Sequence, residues 1–322
     1  MIITRSPYRV SFFGGGTDYP SWYSVNGGQC LSATLDKYCY ISLRKMPPFT
    51  GFKYLFLYSK FEKVNSVDDI QHPGIKGCLK YLDMDEGMEA NHAGDLPARS
   101  GLGSSSAFTV SMLHALRTLR GDHFNKQQLS FDAINVEQRV LGETVGIQDQ
   151  IACAYGGINF IEINRDGSYR VNRILDEENS RGLEDHLVLV YTGIQRYASD
   201  IAKTQIDNIK RKEKELHKIS EMVPLASKAL IDKDYNTFGE MLHESWMMKR
   251  ELSEKISNKY IDKIYEIGKK NGALGGKVLG AGGGGFMVFM VTPEKRRVFL
   301  NAMENICIPV RFSHNGTELI LK

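Results

Sequence analysis

The segment at residues 97–107 has the residue types best suited to binding a phosphate. It reads Pro-Ala-Arg-Ser-Gly-Leu-Gly-Ser-Ser-Ser-Ala and leads into an apolar-periodic stretch that predicts a helix over residues 105–119. Gly101 and Gly103 allow the main chain to adopt positive φ and approach a ligand, and the N-terminus of a helix attracts phosphate oxygens. The serine hydroxyls can cap the helix, bind phosphate or ligate magnesium. The alternative is an ordinary glycine–serine turn with a serine cap.

Two acidic residues after this loop are candidates for a base and a metal ligand. Glu137 lies in a predicted helix over residues 126–141, and Asp149 precedes a short helical run that ends at Gly156-Gly157. Phosphoryl transfer needs positioning, magnesium and, in many kinases, a carboxylate that accepts the proton of the attacking hydroxyl. An aspartate at a helix N-terminus stays ionised, as a base must. Alternatively, both acids are ordinary helix residues with no chemical role.

Two further glycine-rich segments lie near the ends of the chain. The first, at residues 6–19, contains Arg9, the run Gly14-Gly15-Gly16 and Asp18. The second, at residues 277–290, contains a formal Gly-x-Gly-x-x-Gly pattern, but the apolar, β-branched and aromatic stretch after it predicts a strand. A dinucleotide-binding loop must precede a helix, so that interpretation is excluded.

Together these three segments resemble the signatures of the superfamily of galactokinase, homoserine kinase, mevalonate kinase and phosphomevalonate kinase, the GHMP kinases. The loop lacks the Gly-Lys-Ser/Thr ending of Walker-type P-loops, and Arg99 replaces the glycine common at its position. The resemblance implies an α+β, two-domain fold with a ribosomal protein S5 domain 2-like N-terminal domain, a ferredoxin-like C-terminal domain and an active site in the cleft between them. It also implies binding of ATP, whose phosphates would contact Gly101, Leu102, Gly103, Ser104, Ser105 and Ser106.

The resemblance further implies roles for individual side chains. Glu137 and Ser105 would hold Mg²⁺, and Asp149 would be the catalytic base. Arg9 would reach the reacting centre, where a cation offsets charge on the transferred phosphoryl group, and Asp18 would accept hydrogen bonds from sugar hydroxyls. The alternative for Arg9 and Asp18 is a structural role beside a hairpin turn.

The N-terminal segment also bears on the acceptor. Galactokinases have Glu-His where this chain has Gly15-Gly16, which opens space and implies a larger or differently charged sugar. Thr17 is a predicted substrate contact beside these glycines. The C-terminal glycine loop, with Gly282 and Gly283 as predicted substrate contacts, is expected to approach the substrate and the phosphate loop from the second domain.

Three more segments resemble those of the bacterial D-glycero-D-manno-heptose 7-phosphate kinases. These segments span residues 191–196, 246–253 and 275–277. Such enzymes phosphorylate the anomeric hydroxyl to give the 1,7-bisphosphate, for GDP-heptose and surface polysaccharide synthesis. Guanidinium and ammonium groups bind phosphate, so Arg196 and Lys277 rank first as ligands of the distal phosphate, followed by Lys249 and Arg250. Each could instead be a solvated or salt-bridged surface residue.

The order of the predicted elements indicates two domains. A length of 322 residues suits two domains that share a cleft. The polar stretch at residues 176–185 predicts the junction, which gives domains at 1–180 and 181–322. The second half carries helical patterns over residues 198–218 and 234–253.

Composition limits the partners and the compartment. The chain has 41 basic and 38 acidic residues, so its net charge of +3 gives no strong field to attract nucleic acid or anionic lipid. The expected partners are therefore a sugar phosphate and ATP, and a homodimer is compatible with the sequence. The five cysteines are scattered without metal-ligand spacing, which favours a reducing cytoplasm. Neither a signal peptide nor a membrane span is predicted.

Two other functions stay open at this point. The first is another sugar kinase of the same superfamily, acting on fucose, a uronic acid or galactose. The second is a non-catalytic sugar-binding regulator. The presence of Ser105, Glu137 and Asp149 argues against the regulator.

Overall fold

A computed structural model describes residues 1–195, 198–209 and 211–322. Twelve strands and eleven α-helices lie within these ranges. The strands are β1 (Ile2–Phe13), β2 (Gly28–Lys45), β3 (Tyr54–Leu57), β4 (Phe61–Val64), β5 (Met88–Gly94), β6 (Ile158–Ile163), β7 (Tyr169–Leu175), β8 (Leu187–Tyr191), β9 (Ala273–Val278), β10 (Phe286–Val291), β11 (Cys307–Pro309) and β12 (Glu318–Leu321). The helices are α1 (Pro20–Asn26), α2 (Pro73–Tyr81), α3 (Ser104–Arg120), α4 (Lys126–Asn135), α5 (Gln148–Tyr155), α6 (Glu177–His186), α7 (Ala198–Asn208), α8 (Glu213–Ile231), α9 (Tyr235–Glu251), α10 (Lys259–Lys270) and α11 (Pro293–Ala302).

The larger sheet has the strand order β12-β1-β2-β5-β3-β4, with β6 on the first half of β2 and β7 beyond β6. Its strands pair antiparallel except β3 and β5, which run parallel. Helix α3 packs on β1 and β2, and there the Thr4 hydroxyl donates to the main-chain oxygen of Ser111 at 2.8 Å. This packing places the N-terminus of α3 beside β1, the strand that carries Arg9.

The smaller sheet has the order β11-β8-β10-β9 and is antiparallel throughout. All six residues of β10 are buried, as a continuous apolar run predicts for a covered strand. Helices α9 and α10 pack against β9. The glycine-rich segment between β9 and β10 is therefore held at one end of this sheet.

One hydrophobic core joins the two sheets. The ring of Phe238 in α9 meets those of Phe12 and Phe13 in β1, with centroid distances of 5.5 and 5.3 Å. Strands and helices occur in groups, as expected for an α+β fold. The predicted domain boundary near residue 180 stays a prediction. Strand β12 follows that boundary in sequence but pairs with β1 in the larger sheet.

Two predicted helices differ from the observed ones. The helix predicted over residues 126–141 ends at Asn135 and continues as a π-helical turn over Val136–Val140, a geometry found often at functional sites. The stretch predicted as one helix over residues 198–218 is divided between α7 and α8. Among the helices of the described ranges, none combines the length and apolar character needed to cross a membrane.

Candidate active site

The predicted phosphate loop has an unusual main-chain conformation. Arg99, Gly101 and Gly103 have φ values of 59°, 81° and 73°. Glycine adopts this left-handed region without strain, whereas Arg99 does so at a cost of about 1 kcal/mol. The first α-helical bond of α3 is donated by the main-chain N–H of Ala107 to Gly103. The N–H groups of residues 104–106 precede it and form the anion-attracting end of the helix.

The glycine-rich segment between β9 and β10 packs directly on the phosphate loop, as predicted. The main-chain N–H of Phe286 donates to the oxygen of Ser100 at 2.9 Å. A Cβ on Gly285 would lie 2.1 Å from that same oxygen, and one on Gly280 would lie 2.9 Å from the Cα of Gly101. The absence of side chains at these two positions therefore allows the smaller sheet to support the loop.

Arg9 and Asp149 form a two-bond ion pair at this loop. Arg9 Nε donates to Asp149 Oδ1 at 2.7 Å and Nη2 to Oδ2 at 2.5 Å, while Nη1 donates to the main-chain oxygen of Gly101 at 2.6 Å. Burial opposes the charged guanidinium, yet the Asp149 carboxylate keeps the pKa of Arg9 above its ordinary value. A Cβ on Gly103 would lie 3.5 Å from Asp149 Oδ2, so the carboxylate lies directly beside the loop.

Asp18 is the second carboxylate of the site. Its Oδ1 accepts from the main-chain N–H of Gly16 at 3.0 Å and its Oδ2 from that of Gln148 at 3.4 Å. Burial, and then the negative charge of Asp149, raise the pKa of Asp18. A Cβ on Gly146 would lie 1.9 Å from Asp18 Oδ2, so only glycine fits there. The structure thus brings Arg9, Asp18 and Asp149 together, although they are far apart in sequence.

The structure corrects the substrate role predicted for Thr17. Its side chain is fully buried, and its hydroxyl bonds to the main-chain oxygens of Gly14 and Gln29 and to the N–H of Gln29. These bonds hold the turn to β2 and leave the hydroxyl no room for a sugar. The open space predicted beside Gly15 and Gly16 occurs only at Gly15, because a Cβ on Gly16 would lie 3.1 Å from the Leu216 side chain.

The metal role predicted for Glu137 and Ser105 stays a prediction, and in the structure a different hydroxyl contacts the Glu137 carboxylate. Glu137 Oε2 accepts from Ser106 Oγ at 3.0 Å and from Gln150 Nε2 at 2.5 Å, whereas the Ser105 residue is exposed. Ser106 lies on the inner face of α3, and so it contacts Glu137 where Ser105 does not. Burial, followed by the charge of Glu143, raises the pKa of Glu137 to about 8.

The second oxygen of this carboxylate is the clearest sign of a cation site. Glu137 Oε1 is fully buried and has no hydrogen-bond partner among the described residues. A carboxyl group in such a position either holds a proton, as its raised pKa favours, or pairs with a cation, and oxygen is the ligand that Mg²⁺ prefers. No cluster of three acidic, histidine or cysteine ligands occurs in the described part of the chain, so any ion here would rely on few protein oxygens.

The lysines predicted to bind a distal phosphate are engaged inside the protein. Lys277 is buried, and its Nζ donates to the main-chain oxygen of Phe12 at 2.7 Å. Burial lowers the pKa of Lys277 to about 8. Lys249 Nζ donates to the main-chain oxygens of Val278 and Gly280. Both amines therefore fix the glycine-rich segment and its strand to neighbouring elements.

The other basic candidate that the structure describes has a surface role. Arg250 pairs with Asp262 at 3.0 Å and lies over the Trp246 ring. Arg196 is outside the described residues, so its predicted role is untested. Gly282 and Gly283 lie against Ile256: a Cβ on Gly282 would be 2.8 Å from the Ile256 Cα, and the N–H of Gly283 donates to the Ile256 oxygen at 2.7 Å.

Sequence reasoning missed the residues on either side of Asp149. Gln150 donates to Glu137, and Gln148 accepts a hydrogen bond from Ser11 Oγ at 2.8 Å. Their positions beside the candidate base, in the first turn of α5, were the available signal. Both side chains are buried, unlike most glutamines.

Comparison with known proteins agrees with this geometry. The family model "GHMP kinases N terminal domain" matches residues 74–157, and the model "GHMP kinases C terminal" matches residues 226–308. The D-glycero-alpha-D-manno-heptose 7-phosphate kinase of Campylobacter jejuni subsp. jejuni is 29% identical over 94% of this chain and 93% of that protein.

Two solved structures show the same fold over nearly the whole chain. A D-glycero-D-manno-heptose 1-phosphate kinase from Bacteroides thetaiotaomicron superposes with a TM-score of 0.82 at 23% identity, covering 100% of this chain and 99% of that one. The galactokinase of Lactococcus lactis, complexed with galactose, superposes with a TM-score of 0.77 at 19% identity, covering 98% and 94%. The predicted two-domain fold is confirmed. The chain belongs to the GHMP kinase family and is an ATP-dependent kinase.

Proposed function

We propose that this kinase phosphorylates the anomeric hydroxyl of D-glycero-D-manno-heptose 7-phosphate, giving the 1,7-bisphosphate for GDP-heptose and surface polysaccharide synthesis. The Arg9–Asp149 pair beside Gly103 carries the chemical part of the proposal, since it puts a carboxylate next to the phosphate loop. The similarity to the Campylobacter heptose 7-phosphate kinase supports the acceptor. The cytoplasm, where ATP and sugar phosphates occur, is the proposed compartment.

In this proposal the protein acts mainly by positioning. The N–H groups at the start of α3 bind the ATP phosphates, and Asp149 accepts the proton of the acceptor hydroxyl. Arg9 fixes the Asp149 carboxylate and adds positive charge near the transferred phosphoryl group. Asp18 retains free lone pairs on its oxygens and accepts a hydrogen bond from the sugar.

Magnesium fits the oxygens near Glu137. Glu137 Oε1, which has no partner among the described residues, and the Ser106 hydroxyl would hold the ion, with Ser105 close by in sequence. When bound, Mg²⁺ neutralises charge on the phosphate oxygens of ATP. The distal phosphate of the acceptor is assigned to Arg196, since Lys277 is bonded inside the protein.

A panel of acceptors tests the proposal. Purified protein, ATP and Mg²⁺ would be incubated with D-glycero-D-manno-heptose 7-phosphate, fucose, galactose and a uronic acid, and new anomeric phosphates would be detected by ³¹P NMR. We expect the highest kcat/KM with the heptose phosphate. A preference for an unphosphorylated sugar would replace this acceptor, and no turnover with any sugar would favour a binding protein.

A further inference from the structure

The side chain of Gln148 is held by a hydrogen bond to its amide oxygen, whereas its amide nitrogen makes no hydrogen bond among the described residues. Ser11 Oγ donates to Gln148 Oε1 at 2.8 Å, and both residues are at least nine-tenths buried, with 5% and 3% of their surface exposed. Among the described residues, Gln148 Nε2 donates to no acceptor. Nε2 is not among the fully buried side-chain atoms that lack a partner, so this end of a mostly buried side chain reaches the surface, where a ligand can accept a hydrogen bond from it.

The residues around Gln148 indicate that its side chain lies beside the candidate active site. The main-chain N–H of Gln148 donates to Asp18, and the next residue is Asp149. Ser11 Oγ would lie 3.4 Å from a Cβ on Gly15, so the open position at Gly15 adjoins the Ser11–Gln148 pair.

The chemistry of these groups is complementary. Asp18 and Asp149 accept hydrogen bonds when ionised, whereas Gln148 Nε2 only donates. A sugar carries hydroxyls on adjacent carbons, and each hydroxyl both donates and accepts. One hydroxyl can therefore give its proton to Asp149 while its neighbour accepts from Gln148 and donates to Asp18.

We propose that Gln148, oriented by Ser11, is a specificity-determining residue that binds the acceptor hydroxyl adjacent to the one that is phosphorylated. This inference rests on the proposed sugar kinase function. For an anomeric phosphorylation the hydroxyl concerned is that on C2. An acceptor without it cannot make this hydrogen bond, which lowers kcat/KM by about 10-fold.

The experiment compares an acceptor with its 2-deoxy analogue, using whichever sugar of the panel the wild-type protein phosphorylates best. The wild-type protein should prefer the 2-hydroxy sugar by the stated factor. In Gln148→Leu the preference should fall to about 3-fold or less, mainly through a lower kcat/KM for the 2-hydroxy sugar. Ser11→Ala, which releases the amide, should give an intermediate ratio.

Controls separate this role from a general loss of structure. Gln127→Ala changes an exposed glutamine of α4 and should keep the wild-type ratio. Gln148→Glu keeps the shape but replaces the donor with a charged acceptor, so it should lose the 2-hydroxy preference even if the leucine variant fails to fold. An unchanged ratio in a folded Gln148 variant would overturn the proposal. A best acceptor other than the heptose phosphate would overturn the proposed substrate alone, and turnover of no sugar would overturn both.

Discussion

In the proposed mechanism the chemical roles belong to Arg9, Asp149, Glu137 and one serine. The sequence resemblance paired Glu137 with Ser105, whereas the structure puts the Ser106 hydroxyl 3.0 Å from that carboxylate. One residue along a helix turns the side chain by about 100°, so neighbouring serines face different surroundings. A motif alone does not show which hydroxyl points inward.

The two serines offer a matched test of the metal site. Ser106→Ala should raise the Mg²⁺ concentration needed for half-maximal turnover by about 3- to 10-fold, because it removes an oxygen beside Glu137. Ser105→Ala is the control and should shift it less. The measurement is turnover against Mg²⁺ at saturating ATP. A larger shift in the Ser105 variant would restore the original pairing.

A substitution of Lys277 tests whether this residue binds the distal phosphate or has a structural role. Because its Nζ bonds to the Phe12 oxygen, Lys277→Met should change kcat/KM by the same factor, within about 3-fold, for a phosphorylated sugar and its unphosphorylated counterpart. Steady-state kinetics with both acceptors measures the two factors. A loss confined to the phosphorylated acceptor would show that the amine does bind the distal phosphate.

At the scale of elements, the phosphate loop depends on the strand beside it. Gly285 has a φ of 82°, and a Cβ there would overlap the Ser100 oxygen. Gly285→Ala should therefore displace the loop and raise the KM for ATP by about 10-fold or more. Gly121 provides the control. Its φ is also positive, at 81°, but no atom lies within 4 Å of a Cβ built there, so alanine at this position adds conformational strain without a steric clash.

Steady-state kinetics and thermal unfolding of both glycine variants provide the comparison. Gly121→Ala should lose about 1 kcal/mol of stability and keep its KM for ATP. Equal KM values for ATP in the two variants would contradict the inference that the smaller sheet supports the phosphate loop.

Helix α2 predicts a pH dependence of stability. His72 is its N-cap, and Nδ1 accepts from the N–H of Ile75 at 3.3 Å. Burial, and next the charge of His92, lower the pKa of His72 to about 4, although Glu62 opposes the shift. An unfolded histidine has a pKa of about 6.5, so the unfolded chain binds the proton first, and stability falls as the pH drops from about 6.5 to 4.

The variant His72→Asn keeps a capping side chain without this titration. The wild-type protein should lose about 2 kcal/mol more than the variant between pH 7 and pH 4.5. Urea unfolding at the two pH values measures the difference. Equal losses in both proteins would show that His72 is not depressed in the folded state.

At the scale of the whole molecule, the site depends on contacts between distant parts of the chain. The glycine motifs and helix α3 could be predicted from sequence because their signals are local: left-handed φ, apolar periodicity and a helix N-terminus. The Ser11–Gln148 pair, the Phe12–Lys277 bond and the return of β12 to the larger sheet could not, since each joins segments more than a hundred residues apart.

The π-helical turn around Glu137 could not be predicted from the local sequence either, because its apolar spacing is compatible with an ordinary α-helix. It is the packed molecule that puts this carboxylate against Ser106 and Gln150. The chemistry of a kinase could therefore be predicted from the motifs, while the partners of each candidate site residue could be seen only in the fold.

The most direct test of the account compares wild-type protein with Asp149→Asn. With ATP, Mg²⁺ and D-glycero-D-manno-heptose 7-phosphate, the wild-type protein should form the 1,7-bisphosphate, whereas the variant should turn over about 10²- to 10⁴-fold more slowly while binding ATP nearly as well, because only the base is lost. Single-turnover product formation and ATP titration measure the two quantities. Equal turnover in the two proteins, or no bisphosphate from the wild-type protein, would contradict it.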